Sequence, residues 1–153
     1  MWSSEVTNMI ITGIWETLYM TLVSTLVGYV IGLPMGIILT VSDKDGIKPN
    51  AVLYKILDVI ANIVRSVPFI ILLVLLIPFT RLVVGKSYGS TATIVPLVIA
   101  AAPYIARMVE SSLKEVDAGV IEAARSMGAS NFTIITKVML VAVSYTHLTL
   151  PTI

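Results

Sequence analysis

The chain has 153 residues, of which 57% are hydrophobic and 12% charged, with a mean hydropathy of +0.97 and a formal net charge of +1. That composition lies far outside the range of soluble domains and implies an all-α, polytopic transmembrane protein in contact with membrane lipid. The near-zero charge offers no basic patch for nucleic acid, and the absence of cysteine excludes disulfides and thiolate metal sites. His147 alone makes no zinc site, and no Gly-rich phosphate loop occurs, so no metal, cofactor or nucleotide chemistry is expected of the chain itself.

Spans are read as runs without charge. Thr17 to Thr40 is 24 residues without Asp, Glu, Lys or Arg, about 36 Å of helix, enough to cross a bilayer. Span one is placed at 17–40. Met1 to Asn8 carries Glu5 and no basic residue, so this apolar run reads as a retained span rather than a cleaved leader. Glu16, beside Trp15 and Tyr19, is expected at the membrane interface. Gly28, Gly32 and Gly36 repeat at four-residue spacing, the pattern that lets two helices approach closely. Their partner, in the same subunit or another copy, is open at this point.

Between Arg65 and Arg81 only 15 residues are uncharged, roughly 22 Å of helix. Span two must therefore borrow from the preceding segment and is placed at 59–79. Lys55, Asp58, Asn62 and Arg65 share one helical face. Lys55 and Asp58 read as an interfacial charged face meeting headgroups, whereas Asn62 and Arg65 fit a pathway and an interface equally. Ser87 to Ala106 is uncharged for 20 residues, about 30 Å. Span three is placed at 87–108, kinked by Pro96 and Pro103. After it, Asp117 as N-cap and Gly128 as stop bracket a short polar helix at 118–127. Basic residues cluster at 44–55 and 107–137, which places those segments in the cytoplasm and the N-terminus outside.

Within that short helix, Glu122-Ala123-Ala124, three residues and then Gly128, followed by Val138 and Leu140, resembles the EAA loop of permease subunits of ATP-binding cassette importers. Three upstream strings narrow the resemblance to the methionine importer permeases within that superfamily. They are Asn62-Ile63-Val64-Arg65-Ser66-Val67-Pro68-Phe69-Ile70-Ile71-Leu72-Leu73, Ile77-Pro78-Phe79-Thr80-Arg81, and Ala101-Ala102-Pro103-Tyr104-Ile105-Ala106-Arg107. The resemblance covers 9–140 and implies a type-1 importer permease domain in a bacterial inner membrane. It further implies a homodimer, two copies of a cytoplasmic ATPase that carries out the hydrolysis, and an extracytoplasmic substrate-binding lipoprotein. Carried over, the coupling residues are Glu122, Ala123, Ala124 and Gly128, with Arg125 and Met127 flanking, and the alanines are expected to leave room for the partner. Spans two and three are expected to help line the pathway, with no single side chain assigned to methionine.

The resemblance departs at Val141, where the loop pattern has proline. Val143 to Ile153 resembles one reading frame of a transposon-end sequencing adapter, so 141–153 is expected to be non-native and the permease domain incomplete, lacking the family's later spans. A permease for another solute and a non-transporting membrane scaffold remain alternatives. An intramembrane enzyme lacks a positioned nucleophile or metal cluster.

Overall fold

The structure, a computed structural model, describes residues 3–142; the segment 143–153, with His147 and most of the expected adapter tail, lies outside the described residues. The described residues form helices and connecting turns. α1 (Ser4–Ser42) is followed by α2 (Ala51–Ser66), α3 (Phe69–Leu75), α4 (Ile77–Val84) and α5 (Ser90–Lys114). Then come α6 (Ala118–Ser126) and α7 (Asn131–Thr133), the last running directly into a π-helical stretch, Ile134–Met139. α1 and α5 are each long and apolar enough to cross a membrane.

α1 is a single 39-residue helix that extends the expected span by more than three turns toward the N-terminus. Its outer residues, among them Met9, Ile14, Trp15 and Leu22, are exposed, as a lipid-facing helix requires. α5 passes through both Pro96 and Pro103 as one helix. The expected single span at 59–79 is not one helix. α2 stops at Ser66, and α3 leaves at 105° to it. The cause is local: Pro68 has no N–H to give to the preceding turn and disfavours helical backbone at Val67. Pro68 adopts φ −55° and ψ 137°, and its carbonyl accepts the first bonds of the new helix from Ile71 and Leu72 at 2.9 and 3.0 Å. A count of uncharged residues carries no information about such a bend. With the bent pair taken together, the described residues hold up to three spans.

The described residues divide into two compact units, one of 3–32 with 60–105 and one of 33–59 with 106–142. In the first, Gly28 and Gly32 are buried against α5. A Cβ at Gly32 would lie 2.6 Å from the Ala102 carbonyl and 2.8 Å from Ile105 Cβ. In the second, a Cβ at Gly36 would lie 2.5 Å from the Ala106 carbonyl and 2.7 Å from Val109 Cβ. The glycine stripe thus packs on a helix of the same chain, which settles the open choice of partner. Backbone-to-backbone approach of this kind maximises dispersion contact where lipid removes the hydrophobic drive for helix association.

The second unit holds a small apolar core. Leu113 on α5, Ala124 on α6, and Ile134 and Met139 on the π-helical stretch are buried together, with Ile37, Ile47 and Ile121 packed around them. Ser130 caps α7 by accepting from the Thr133 amide at 3.2 Å, which starts the helix that closes this core.

The glycine contacts give a contrast of sign. Gly32→Ala and Gly36→Ala are expected to lower stability by about 1–3 kcal/mol through overpacking. Gly13→Ala, where a Cβ meets nothing within 4 Å, should gain up to about 1 kcal/mol from helix propensity alone. Denaturation midpoints in one detergent check both; equal shifts at Gly13 and Gly32 would contradict the packing.

Candidate functional site

α6 begins where Asp117, at φ −58° and ψ 130°, accepts a hydrogen bond from the Gly119 amide at 2.7 Å. It ends where Gly128 takes φ +81°, a left-handed conformation that costs glycine little. Between these points a nine-residue helix presents two faces. Glu122, Ala123 and Met127 are exposed, Met127 at 82%. Ala124 is 5% exposed and packs into the Leu113–Ile134–Met139 core. This corrects the expectation that both alanines clear space for a partner. Ala123 is exposed, whereas Ala124 is small because its own chain's core comes close.

Arg125 also works inward through its head group. Its guanidinium Nη2 donates to the Ile47 carbonyl at 2.7 Å, tying α6 to the turn that follows α1. That turn is closed by its own backbone: the Gly46 amide donates to the Asp43 carbonyl at 2.9 Å, and Lys48 and Asn50 donate back to Val41 and Ser42 at 3.0 and 2.9 Å. A cavity of about 390 Å³ lies beside it, lined among others by Asp43, Ile47, Lys114, Ile121, Glu122 and Arg125.

Behind α6 stands a polar cluster that the sequence reading did not identify. Glu110 on α5, 4% exposed, accepts from Arg107 Nη1 at 2.7 Å, from Lys114 Nζ at 2.8 Å and from the Tyr54 hydroxyl at 3.2 Å. Arg107 Nη2 donates to Asp58 of α2, and Lys114 pairs with Asp43 at 2.6 Å while lying 5.5 Å from the Tyr54 ring centroid. Three carboxylates and two cations thus join the end of α1, α2 and α5. Asp58, expected to face headgroups, is instead one of the tie points, because α5 brings Arg107 to it across 49 residues of sequence. Within α5, the spacing of Arg107, Glu110 and Lys114 at i, i+3 and i+7 was the available signal.

Hydrogen bonding to Lys114 holds the Asp43 carboxyl below the usual carboxylate range, against the opposing effect of its partial burial and helped by the Lys44 amide. Of the two residues left even between pathway and interface, Asn62 and Arg65, both are exposed, and Arg65 lines an open cavity at the α2–α3 bend.

The family described as binding-protein-dependent transport system inner membrane component matches residues 28–150. The chain belongs to that family. It is a multi-pass inner-membrane protein. Among similar proteins, the D-methionine transport system permease protein MetI of Salmonella typhimurium is 54% identical over 132 residues, covering 86% of this chain and 61% of the relative. The methionine import system permease protein MetP of Bacillus subtilis is 48% identical over 144 residues, covering 92% and 65%. The chain therefore spans less than two thirds of the length of these curated relatives. A solved structure of the inward-facing MetNI methionine ABC transporter superimposes with TM-score 0.90 at 51% identity, over 93% of this chain and 66% of that one. An amino acid ABC transporter with histidines, at TM-score 0.71 and 24% identity, shares the fold alone.

Glu110→Ala leaves Arg107 and Lys114 each short of one carboxylate, and a loss of about 3–5 kcal/mol is expected from breaking a buried ionic cluster. Thermal denaturation in detergent measures it, and a shift no larger than that of an exposed substitution such as Glu115→Ala would contradict the cluster's role. Because folding lowers the Asp43 pKa, its stabilisation is complete above the unfolded value of about 3.8 and is lost as pH falls through the lower folded value. Asp43→Asn should flatten that part of the stability–pH curve and leave the neutral-to-alkaline part parallel to wild type; an unchanged acid limb would contradict the pairing.

Proposed function

We propose that this chain is the membrane-spanning core of a permease subunit of an ATP-driven importer, with methionine as its substrate. The observation that carries the reading is the two-faced helix α6. Its inner face is fixed to its own chain through Ala124 and Arg125, and Glu122, Ala123 and Met127 are exposed. A helix held this firmly on one side transmits a push received on the other. The names of the curated relatives supply the substrate class.

In this reading two permease copies pair, each α6 sits on one of two cytoplasmic ATPase subunits, and an extracytoplasmic binding lipoprotein delivers substrate. The N-terminus lies outside and α6 inside, in keeping with the basic residues at 44–55 and 107–137. The permease domain occupies 9–140. α1, the bent α2–α3 pair and α5 cross the membrane, and α6 is the coupling element.

Closure of the ATPase pair on ATP moves the α6 helices toward each other. Each α6 pulls on the turn at Ile47 through Arg125 and on α5 through the Leu113–Ala124 contact. The driving force is the different affinity of the motor for nucleotide in its two states, which this chain relays and does not generate.

Gly128 offers the direct test. Its surroundings are open, so Gly128→Leu creates no clash; it forces a side chain into the left-handed region at a cost of about 1–2 kcal/mol and re-aims the exit of α6. In a full-length permease assembled with its ATPase, methionine uptake should fall at least about tenfold while membrane insertion is unchanged and ATP hydrolysis persists. Normal uptake by that variant would overturn the coupling assignment.

A further inference from the structure

Within the second compact unit, α6 and the first half of α2 are attached to α5 by different means. The apolar core that seats α6 draws on α1, the turn after it, α5 and the π-helical stretch and, among the described residues, takes none from α2. α2 is joined to α5 through polar groups. Tyr54, Leu57 and Asp58 are the half-buried positions of its first half, and both polar members bond to α5. The Tyr54 hydroxyl donates to Glu110 Oε1 at 3.2 Å, and the Asp58 carboxylate accepts from Arg107 Nη2. The same nitrogen also donates to the Asp58 backbone carbonyl at 3.4 Å, so Arg107 holds the helix itself and not only a side chain. Its other terminal nitrogen, Nη1, donates to Glu110 Oε2 at 2.7 Å.

Tyr54 and Asp58 lie one turn apart on α2, and Arg107 and Glu110 lie one turn apart on α5. Two ties at that separation resist both sliding and rolling of one helix on the other, because either motion misaligns a charge-assisted hydrogen bond whose strength falls steeply with angle. Apolar contact is non-directional and gives no such resistance. The planar guanidinium fork of Arg107 fixes direction as well as distance, which the ammonium of lysine does not. α2 is one helix from Ala51 to Ser66, so a displacement imposed at Tyr54 and Asp58 reaches the bend at Pro68. The geometry points to Arg107 and Asp58 as positioning residues for transport: together with the Tyr54–Glu110 bond they form the joint through which α5, moved by α6, draws α2 with it. The inference rests on the importer reading above and deepens it by extending the relay from α5 to a named joint on α2.

The test uses the full-length permease assembled with its ATPase and binding lipoprotein in lipid vesicles, and reads ATP hydrolysed per methionine taken up. Loss of a merely structural contact lowers the amount of assembled transporter, and with it hydrolysis and uptake in proportion, so the ratio stays constant. A slack joint lets the motor turn over without moving α2, and the ratio rises. Asp58→Leu should raise it about five- to tenfold, and Tyr54→Phe, which deletes one hydroxyl and keeps the ring, about two- to threefold. Asp58→Glu, which keeps the carboxylate, should stay within about twofold of wild type. Tyr54→Phe decides the matter if Asp58→Leu does not assemble. An unchanged ratio in Asp58→Leu, or in Tyr54→Phe where the former does not assemble, would overturn the inference and leave the importer reading standing. A ratio raised as far in Asp58→Glu as in Asp58→Leu would overturn it equally, because general loosening and not loss of the ionic tie would be the cause. Failure of wild type to import methionine would remove the importer reading itself, and the inference with it.

Discussion

Everything around α6 depends on one buried carboxylate. Glu110 accepts hydrogen bonds from Arg107, Lys114 and Tyr54, and through those partners it reaches Asp58 and Asp43. Burial of a single ionised carboxylate would be prohibitive, and here it is sustained because each cation faces two carboxylates. The cluster fixes the end of α1, a turn of α2 and the end of α5 against one another. The apolar core of Leu113, Ala124, Ile134 and Met139 then has a firm support on which to hold α6.

Two kinds of packing serve the two environments. Along α1, where lipid offers no hydrophobic advantage to helix pairing, glycine brings backbones within reach of dispersion forces, as the Ala102 and Ala106 carbonyls beside Gly32 and Gly36 show. Toward the ends of α1 and α5, charged groups supply directional ties that glycine cannot. Such ties hold particular residues in register, which the relay proposed for α6 requires. α6 then needs only to be short, capped and two-faced.

Much of this was legible in the sequence. α1, α5 and α6 followed from charge-free length and from Asp117 and Gly128, because those signals are local. The four-residue spacing of Gly28, Gly32 and Gly36 announced close packing but not its partner, since spacing on one helix says nothing about which helix lies opposite. The break at Pro68 was visible as a proline yet lost to a count of uncharged residues. Asp58 and Ala124 were misread for a shared reason: what each faces is decided by a segment tens of residues away, Arg107 for the first and Leu113 with Ile134 for the second. Resemblance marked Glu122 to Gly128 as one functional motif, and the structure separates it into residues that hold the helix and residues that remain outward.

That separation is the central claim, and these 153 residues contain no cysteine, so single cysteines introduced here report on it in a full-length background from which any other cysteine has been removed. The measurement is thiol labelling of Ala123→Cys and Ala124→Cys in the full-length permease, with and without its ATPase. Cys at 123 should label fast in the permease alone and become protected when the ATPase is bound, while Cys at 124 should label slowly in both. Equal labelling at the two positions, or labelling at 123 that the ATPase leaves unchanged, would contradict a helix with one face fixed to its own chain and the other given to the motor.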